Sequence, residues 1–303
     1  MNCSFPEPSF HEPVLLKEVL MLLTPRAGQT VVDATLGSGG HAMEILKHIG
    51  KKGHLVGIDQ DPEALERARQ NLKAYPNVDY LQANFSQLTR ILAQLNLHEI
   101  DAVLLDVGLS TEQLEEARRG FSFLKEGPLD MRMDPGRSLK ARELVNRLPE
   151  RELENLFRTY GEERWARRIA KALCRERKKR PLETTGDLVR VIKEAVPRPF
   201  HFRPRHPAMR VFQALRIRVN EELEALASVL PQALQALRPG GRLAVICFHS
   251  LEDRIVKAAF RTWEKEGKVR ILTRKPVRPT AEETERNPRS RSAKLRVVEK
   301  MGG

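Results

Sequence analysis

Residues 30–42 read Thr-Val-Val-Asp-Ala-Thr-Leu-Gly-Ser-Gly-Gly-His-Ala: a first strand over Thr30–Thr35, a glycine-rich turn, and the first residues of a helical pattern. Gly37, Gly39 and Ala42 satisfy G-x-G-x-x-[GA] directly between strand and helix, where glycine lets the backbone pass close beneath a ligand. A second strand, His54 to Asp59, ends in a carboxylate 22 residues after Gly37. A carboxylate at that place accepts hydrogen bonds from both hydroxyls of a ribose. Turn and acid together imply a nucleoside-containing cofactor on a parallel sheet wound with helices.

Outward from this stretch the pattern alternates strand and helix. A helix follows from about His41 to His48, Pro62 opens another that runs through Leu72, and Val78–Leu81 reads as a short third strand. Ile100–Asp106 is a fourth, whose apolar centre suits a strand covered on both faces. The next comparable strand, Arg242–Phe248, comes only after the turn at Pro239, Gly240 and Gly241. No ordinary crossover is that long. The gap holds helical segments rich in Arg and Glu, Glu150–Tyr160 and Glu162–Arg177, with breaks at Pro181 and from Pro197 to Pro207.

The expected fold class is therefore α/β: a Rossmann-like, mostly parallel sheet over 1–112 and 213–303, interrupted by a helical domain over 113–212 and closed by a basic tail. Val211–Leu230 is expected to return the chain to the sheet as one helix, and Val269–Thr273 and Leu295–Val298 to add two last strands.

Charge selects the cofactor. A dinucleotide would rest its pyrophosphate on the helix N-terminus after the glycine turn, yet Asp33 stands at the foot of that turn and Asp106 ends the neighbouring strand. A crevice that collects carboxylates disfavours a phosphate and suits S-adenosylmethionine (AdoMet), which carries a sulfonium and an ammonium and no phosphate. Phe85, after Asn84 beyond the third strand, either lies against an adenine ring or belongs to the core. His41 reads as a contact or capping group, and no metal site is expected, because no second ligand stands at metal spacing from it.

The whole chain is basic: 53 Lys and Arg against 40 Asp and Glu give a formal charge of +13. That balance favours a polyanionic partner, above all nucleic acid. Cys3, Cys174 and Cys247 are odd in number and widely spaced, so neither a disulfide framework nor a zinc pair is indicated and a reducing compartment fits. No apolar run reaches the ~18 residues of a membrane span, and the start of the chain lacks a signal peptide's charged and apolar regions. A cytoplasmic protein without a membrane partner is expected; monomer and homodimer both remain open.

Longer strings are more specific. HEPVLLKEVL (11–20), DATLGSGGHA (33–42), GIDQDP (57–62), DVGLSTEQL (106–114), GPLDMRMDP (127–135), HPAMRVFQALRIRVN (206–220) and CFHSLEDRIVK (247–257) together resemble the RsmH (MraW) family, the 16S ribosomal RNA (cytosine-N(4))-methyltransferases. The resemblance covers nearly the whole chain, in order. It implies a class I AdoMet-dependent fold with a helical insertion that recognises substrate, a role in rRNA processing, and 16S rRNA of the small ribosomal subunit as partner. It also implies that AdoMet is held at Gly39, Gly40, His41, Asp59, Phe85, Asp106 and Gln113. Val107, Leu109 and Thr111 depart from the strings associated with the family, conservatively in size or hydroxyl content; Met209 stands where Thr is common.

For the chemistry, the amine of cytosine is a poor nucleophile because its lone pair is delocalised into the ring, so alignment and hydrogen-bond acceptance must supply the catalysis. Asp106 is the expected catalytic group. The strand-end sequence Asp-Val-Gly-Leu lacks the prolines and the aromatic that many amino-methyltransferases carry there. Three segments offer an RNA grip: Arg164 to Arg180; Arg198 to Arg210, where Phe200, His201, Phe202 and His206 interleave with Arg203 and Arg205; and a tail with Arg286, Arg289, Arg291, Lys294 and Arg296. His249, Ser250 and Asp253 lack a nucleophile elbow and read as a polar cluster at a strand end, not as a hydrolase triad. The competing readings are a methyltransferase for another target and an RNA-binding assembly factor without turnover.

Overall fold

The computed structural model describes residues 13–201 and 206–302. Cys3 and the leader reading at the start of the chain, and Phe202, Arg203 and Arg205 of the second basic segment, lie outside the described residues. The chain divides into two compact units, 1–108 with 223–303, and 109–222.

The first unit begins with α1 (Leu16–Leu23), β1 (Thr30–Asp33), α2 (Gly40–Ile49), β2 (His54–Asp59), α3 (Pro62–Asn71), β3 (Val78–Gln82), α4 (Leu88–Gln94) and β4 (Ile100–Asp106). The second holds α5 (Thr111–Glu115), α6 (Ala141–Arg147), α7 (Glu150–Thr159), α8 (Ala166–Glu176), α9 (Thr185–Ala195) and α10 (Met209–Asn220). The chain then supplies α11 (Glu222–Ala236), β5 (Leu237–Cys247), α12 (Ser250–Lys265), β6 (Val269–Ile271), α13 (Ala281–Arg286) and β7 (Lys294–Lys300).

The seven strands lie in the order β3-β2-β1-β4-β5-β7-β6. Neighbours from β3 to β5 are parallel, and β7 is antiparallel to both β5 and β6. Successive residues of a strand face opposite sides, and the core is built on that alternation. Val31, Leu55, Leu104, Ala244 and Ile246 meet α1, α2 and α3 on one face, while Val32, Val56, Val103, Leu105 and Val245 meet α4, α11 and α12 on the other. The chain leaves β1 toward β2 and β3 and returns to β1's other side as β4. Ligands of open α/β sheets bind outside the carboxyl ends of the strands at such a reversal.

The helical unit has its own core of Leu144, Leu153, Phe157, Ile169, Leu173, Leu188, Ile192, Phe212 and Leu215 among others. It spans 109–222, where 113–212 was expected. The expected single helix over Val211–Leu230 is two, because Glu221 takes a left-handed turn (φ 53°) between α10 and α11. Asn220 fixes that break: its buried amide donates to the Met131 carbonyl at 2.8 Å and accepts from the Met133 N–H at 2.8 Å. Thus α10 closes the helical core and only α11 packs on the sheet.

The last strand expected over Leu295–Val298 is present as β7, and what needs correction is the reading of the tail's Lys294 and Arg296 as an RNA grip. Arg296 and Lys294 reach Asp253 at 2.6 and 3.2 Å, Arg296 is buried, and Arg286 approaches Glu282 at 4.0 Å. Lys294 and Arg296 are thereby consumed by the fold. No helix among the described residues is long and apolar enough to cross a membrane.

Candidate active site

The glycine turn is clamped from three sides. Leu36 N–H donates to the Ile58 carbonyl (2.9 Å), the Asn71 amide to the Ser38 carbonyl (2.9 Å), and Gly37 N–H to Asp59 Oδ2 (2.8 Å). Gly39 has φ +89°, and a Cβ there would stand 3.0 Å from the Leu72 side chain; one at Gly40 would meet Pro13 at 2.7 Å. The backbone is thus pressed against the fold on one side and bare on the other. Asp59 Oδ1 accepts from Asp61 N–H at 2.9 Å, so both carboxylate oxygens are already oriented by backbone donors. Phe85 follows β3, which pairs with β2 so that Gln82 stands beside Asp59; its partly buried ring packs against the core.

Asp33 and Asp106 end the two strands at the reversal. Asp33 Oδ1 accepts from Thr35 N–H at 3.2 Å, and Thr35 Oγ1 accepts from Asp106 N–H at 2.6 Å, tying the strand ends together. Burial pushes Asp33 up to about 7, with the charge of Asp59 adding to it. Asp59 rises to about 6, again through burial, against the pull of its two backbone donors. Asp106 rises furthest, to about 8, through burial and then through the neighbouring carboxylates of Asp33 and Glu252. Its Oδ1 is sealed from solvent and has no hydrogen-bond partner.

His41, in the first turn of α2, is buried and places its Nε2 3.0 Å from the Val14 carbonyl. A carbonyl only accepts, so Nε2 carries the hydrogen. Burial lowers the imidazole to about 4, so the ring is neutral at pH 7 and its Nδ1 presents a lone pair. That nitrogen lies 3.8 Å from Asp106 Oδ2. Two acceptors facing each other at this distance call for a donor: a proton on Asp106 when the site is empty, or N–H groups of a bound cation or amine.

Sequence reasoning placed no aromatic here, but the fold brings one. Phe248 follows β5, and a Cβ at Gly108, whose φ is +125°, would stand 3.5 Å from the Phe248 ring. The positive φ, which side-chain-bearing residues rarely adopt, is what favours glycine there, and it sets the strand end in van der Waals range of the ring. Glu252 was also missed. Its buried carboxylate accepts from the N–H groups of Phe248 (2.7 Å) and His249 (3.1 Å), fixing the start of α12. The signal was the spacing His249-x-x-Glu252 ahead of an apolar helix, the pattern of a capping box. Of the family-assigned positions, Gly39, Gly40, His41, Asp59, Phe85 and Asp106 all lie in the sheet unit. Gln113 lies in the helical unit, in a reciprocal cap with Ser110, whose Oγ accepts from Gln113 N–H at 3.1 Å.

A family model described as the MraW methylase family matches residues 8–301. The chain belongs to the MraW methylase family. Two relatives bear the name ribosomal RNA small subunit methyltransferase H. One, from Halothermothrix orenii, is 44% identical over 96% of this chain and 98% of its own; the other, from Symbiobacterium thermophilum, is 48% identical over 96% of each. A solved rRNA methylase from Streptococcus thermophilus aligns with a TM-score of 0.47 at 10% identity, covering 97% of this chain and 100% of that one. The strand order of this MraW methylase, with its antiparallel β7, is the class I AdoMet-dependent methyltransferase arrangement.

Proposed function

We propose that this MraW methylase transfers the methyl group of AdoMet to the exocyclic N4 amine of a cytidine in 16S rRNA of the small ribosomal subunit, in the cytoplasm, and that its helical unit recognises the substrate. One observation carries the chemistry: three carboxylates, buried Asp33 and the partly exposed Asp59 and Asp106, gather at the carboxyl ends of β1, β2 and β4 and are held toward their protonated forms. Such a set fits a ligand bearing two positive centres and repels a pyrophosphate. Gly39 and Gly40 give the ligand access to bare backbone, Asp59 takes the ribose hydroxyls, Phe85, three residues beyond the end of β3, takes the adenine, and His41 and Asp106 face the charged end.

AdoMet, when bound, supplies a methyl group already activated by its sulfonium. The protein must orient the amine and take away a proton. A cation beside Asp106 lowers its pKa from about 8, leaving the ionised, partly exposed carboxylate to accept an N–H of the cytosine amine. As N4 bonds to the methyl carbon and the carbon–sulfur bond breaks, N4 becomes cationic and its surplus proton passes to Asp106, then to solvent. An acceptor whose pKa lies near the working pH suits that task. Phe248, beside Gly108, offers a face on which the unpaired base stacks.

The test is mass spectrometry of digested RNA after small subunits lacking the modification are incubated with the protein and methyl-labelled AdoMet. Label on the exocyclic amine of cytidine is expected. Label confined to another base, to ribose or to protein contradicts the assignment of target, and AdoMet binding without any transfer favours an assembly factor.

A further inference from the structure

Around α8 the basic residues of the helical unit are neutralised. Arg158 pairs with Glu154 at 2.8 Å, Arg180 with Asp187 at 2.7 Å and Arg190 with Glu176 at 3.1 Å. One face escapes this. Arg168, Lys171 and Arg175 follow on α8 at intervals of three and four residues, the repeat of a single helix face, Arg164 precedes them in the turn before the helix, and all four are exposed. None of them has a carboxylate partner among the described residues. Like charges at these spacings repel and weaken the helix, so the array works against folding unless something anionic covers it.

The start of the array is aromatic. The Arg164 guanidinium carbon lies 3.9 Å from the centre of the Phe200 ring and 5.0 Å from that of Trp165, Arg168 lies 5.4 Å from Trp165, and the two rings are 5.4 Å apart. Both arginines are thereby held over rings instead of moving freely in solvent. The underside of α8 is anchored by Ala166, Ile169, Ala170 and Leu173 in the helical core, so the face is rigid.

We propose that this face is a binding site for single-stranded RNA: phosphates lie along Arg168, Lys171 and Arg175, and an unpaired base extends the stack formed by Arg164, Trp165 and Phe200. A row of cations one helical turn apart, ~5.4 Å, suits a run of phosphates. Guanidinium and aromatic faces are usable only by bases that have left a duplex, which selects single-stranded RNA over a double helix and over an acidic protein. The inference rests on the reading that the substrate is ribosomal RNA, but its test is independent of methyl transfer.

The test uses the full chain and a labelled single-stranded RNA oligonucleotide of mixed sequence, alone or annealed to its complement. The chain has two tryptophans, so Trp263→Phe leaves Trp165 as the sole reporter. Single-stranded RNA is expected to quench its emission. The triple variant Arg168→Ala, Lys171→Ala, Arg175→Ala should weaken binding about tenfold or more and flatten the slope of log K against log salt by about 2, near 0.7 for each lost contact. Phe200→Leu should weaken binding about tenfold with the slope unchanged, and Arg158→Ala, which removes an already paired arginine, should change neither. AdoMet affinity should stay constant throughout. A triple variant with the wild-type slope overturns the site, as does equal binding of the duplex without quenching. If the oligonucleotide binds as expected while no label reaches cytidine in small subunits, the reading of the reaction fails and this site stands.

Discussion

The carboxyl ends of the sheet and the outer face of α8 treat charge in opposite ways. In the sheet crevice, acids stand beside one another, and among the described residues none of Asp33, Asp59 and Asp106 has a Lys or Arg within ion-pair distance, while His41 beside Asp106 is neutral. On α8, Arg168, Lys171 and Arg175 stand in a row in solvent with no carboxylate partner among the described residues. Each arrangement is unfavourable in isolation, and each is relieved by a ligand of the opposite sign. Burial separates the two cases: a carboxylate removed from water answers by holding a proton, whereas an exposed arginine keeps its charge and answers only by binding. The acidic region therefore couples ligand binding to protons, and the basic one couples it to salt.

The largest effect that can break this comparison is at Asp106. Asp106→Asn keeps the shape and removes the charge and the proton acceptor, and turnover should fall about a hundredfold, measured as methyl-transfer kcat, with a smaller loss of AdoMet affinity. Full turnover with unchanged affinity would mean that the crevice does not work through its charge. Phe248→Leu tests whether the site treats the base as a stacked, unpaired ring. It should raise the KM for RNA about tenfold and leave AdoMet affinity alone; an unchanged KM would move the base elsewhere. The smallest effect is at Gly39, where φ is +89° and Leu72 stands 3.0 Å from any added Cβ. Gly39→Ala should cost about 1–3 kcal/mol of stability, read as a lower midpoint of chemical denaturation, because a residue that opens bare backbone to a ligand has no room for a side chain.

Stability against pH sharpens the same contrast. A carboxyl raised in the folded protein contributes stability that is full below its unfolded pKa, near 3.8, and is lost as pH rises through the folded value. Asp59, Asp33 and Asp106, at about 6, 7 and 8, therefore make the ligand-free protein lose stability stepwise from pH 4 to 8. His41, lowered to about 4, acts in the opposite sense between about 4 and its unfolded 6.5, and has no further effect above it. From pH 6.5 to 8 the carboxyls alone set the sign. The rise in melting temperature on adding AdoMet should be larger at pH 8 than at pH 6.5, since the cation relieves charges that the protein then carries. An equal rise at both would separate the ligand from these acids.

Much of the crevice was legible because local rules determine it. The glycine turn, the acid ending β2 and the acid ending β4 all sit where strand period and turn chemistry put them. The strands read from 54 to 106 match the sheet to within a residue, and the first ends at Asp33, two residues before the expected Thr35. What escaped was set by distant packing. The left-handed Glu221 that splits the return helix depends on Asn220 bonding to Met131 and Met133, some ninety residues earlier. The last strand was legible, but Lys294 and Arg296, read as part of a basic grip, are taken up by Asp253, which lies on α12 some forty residues earlier. Phe248 was invisible as the aromatic of β4 because it comes from the next strand of the sheet, more than a hundred residues away.

The most direct test of the acidic crevice as the seat of a cationic methyl donor is calorimetric titration of AdoMet into the full-length protein at pH 7, in buffers of different ionisation enthalpy. The account predicts net proton release, mostly from Asp106 and Asp33, that shrinks in Asp106→Asn and Asp33→Asn and is smaller for the sulfonium-free product. Proton-neutral binding, or equal release by donor and product, would contradict it.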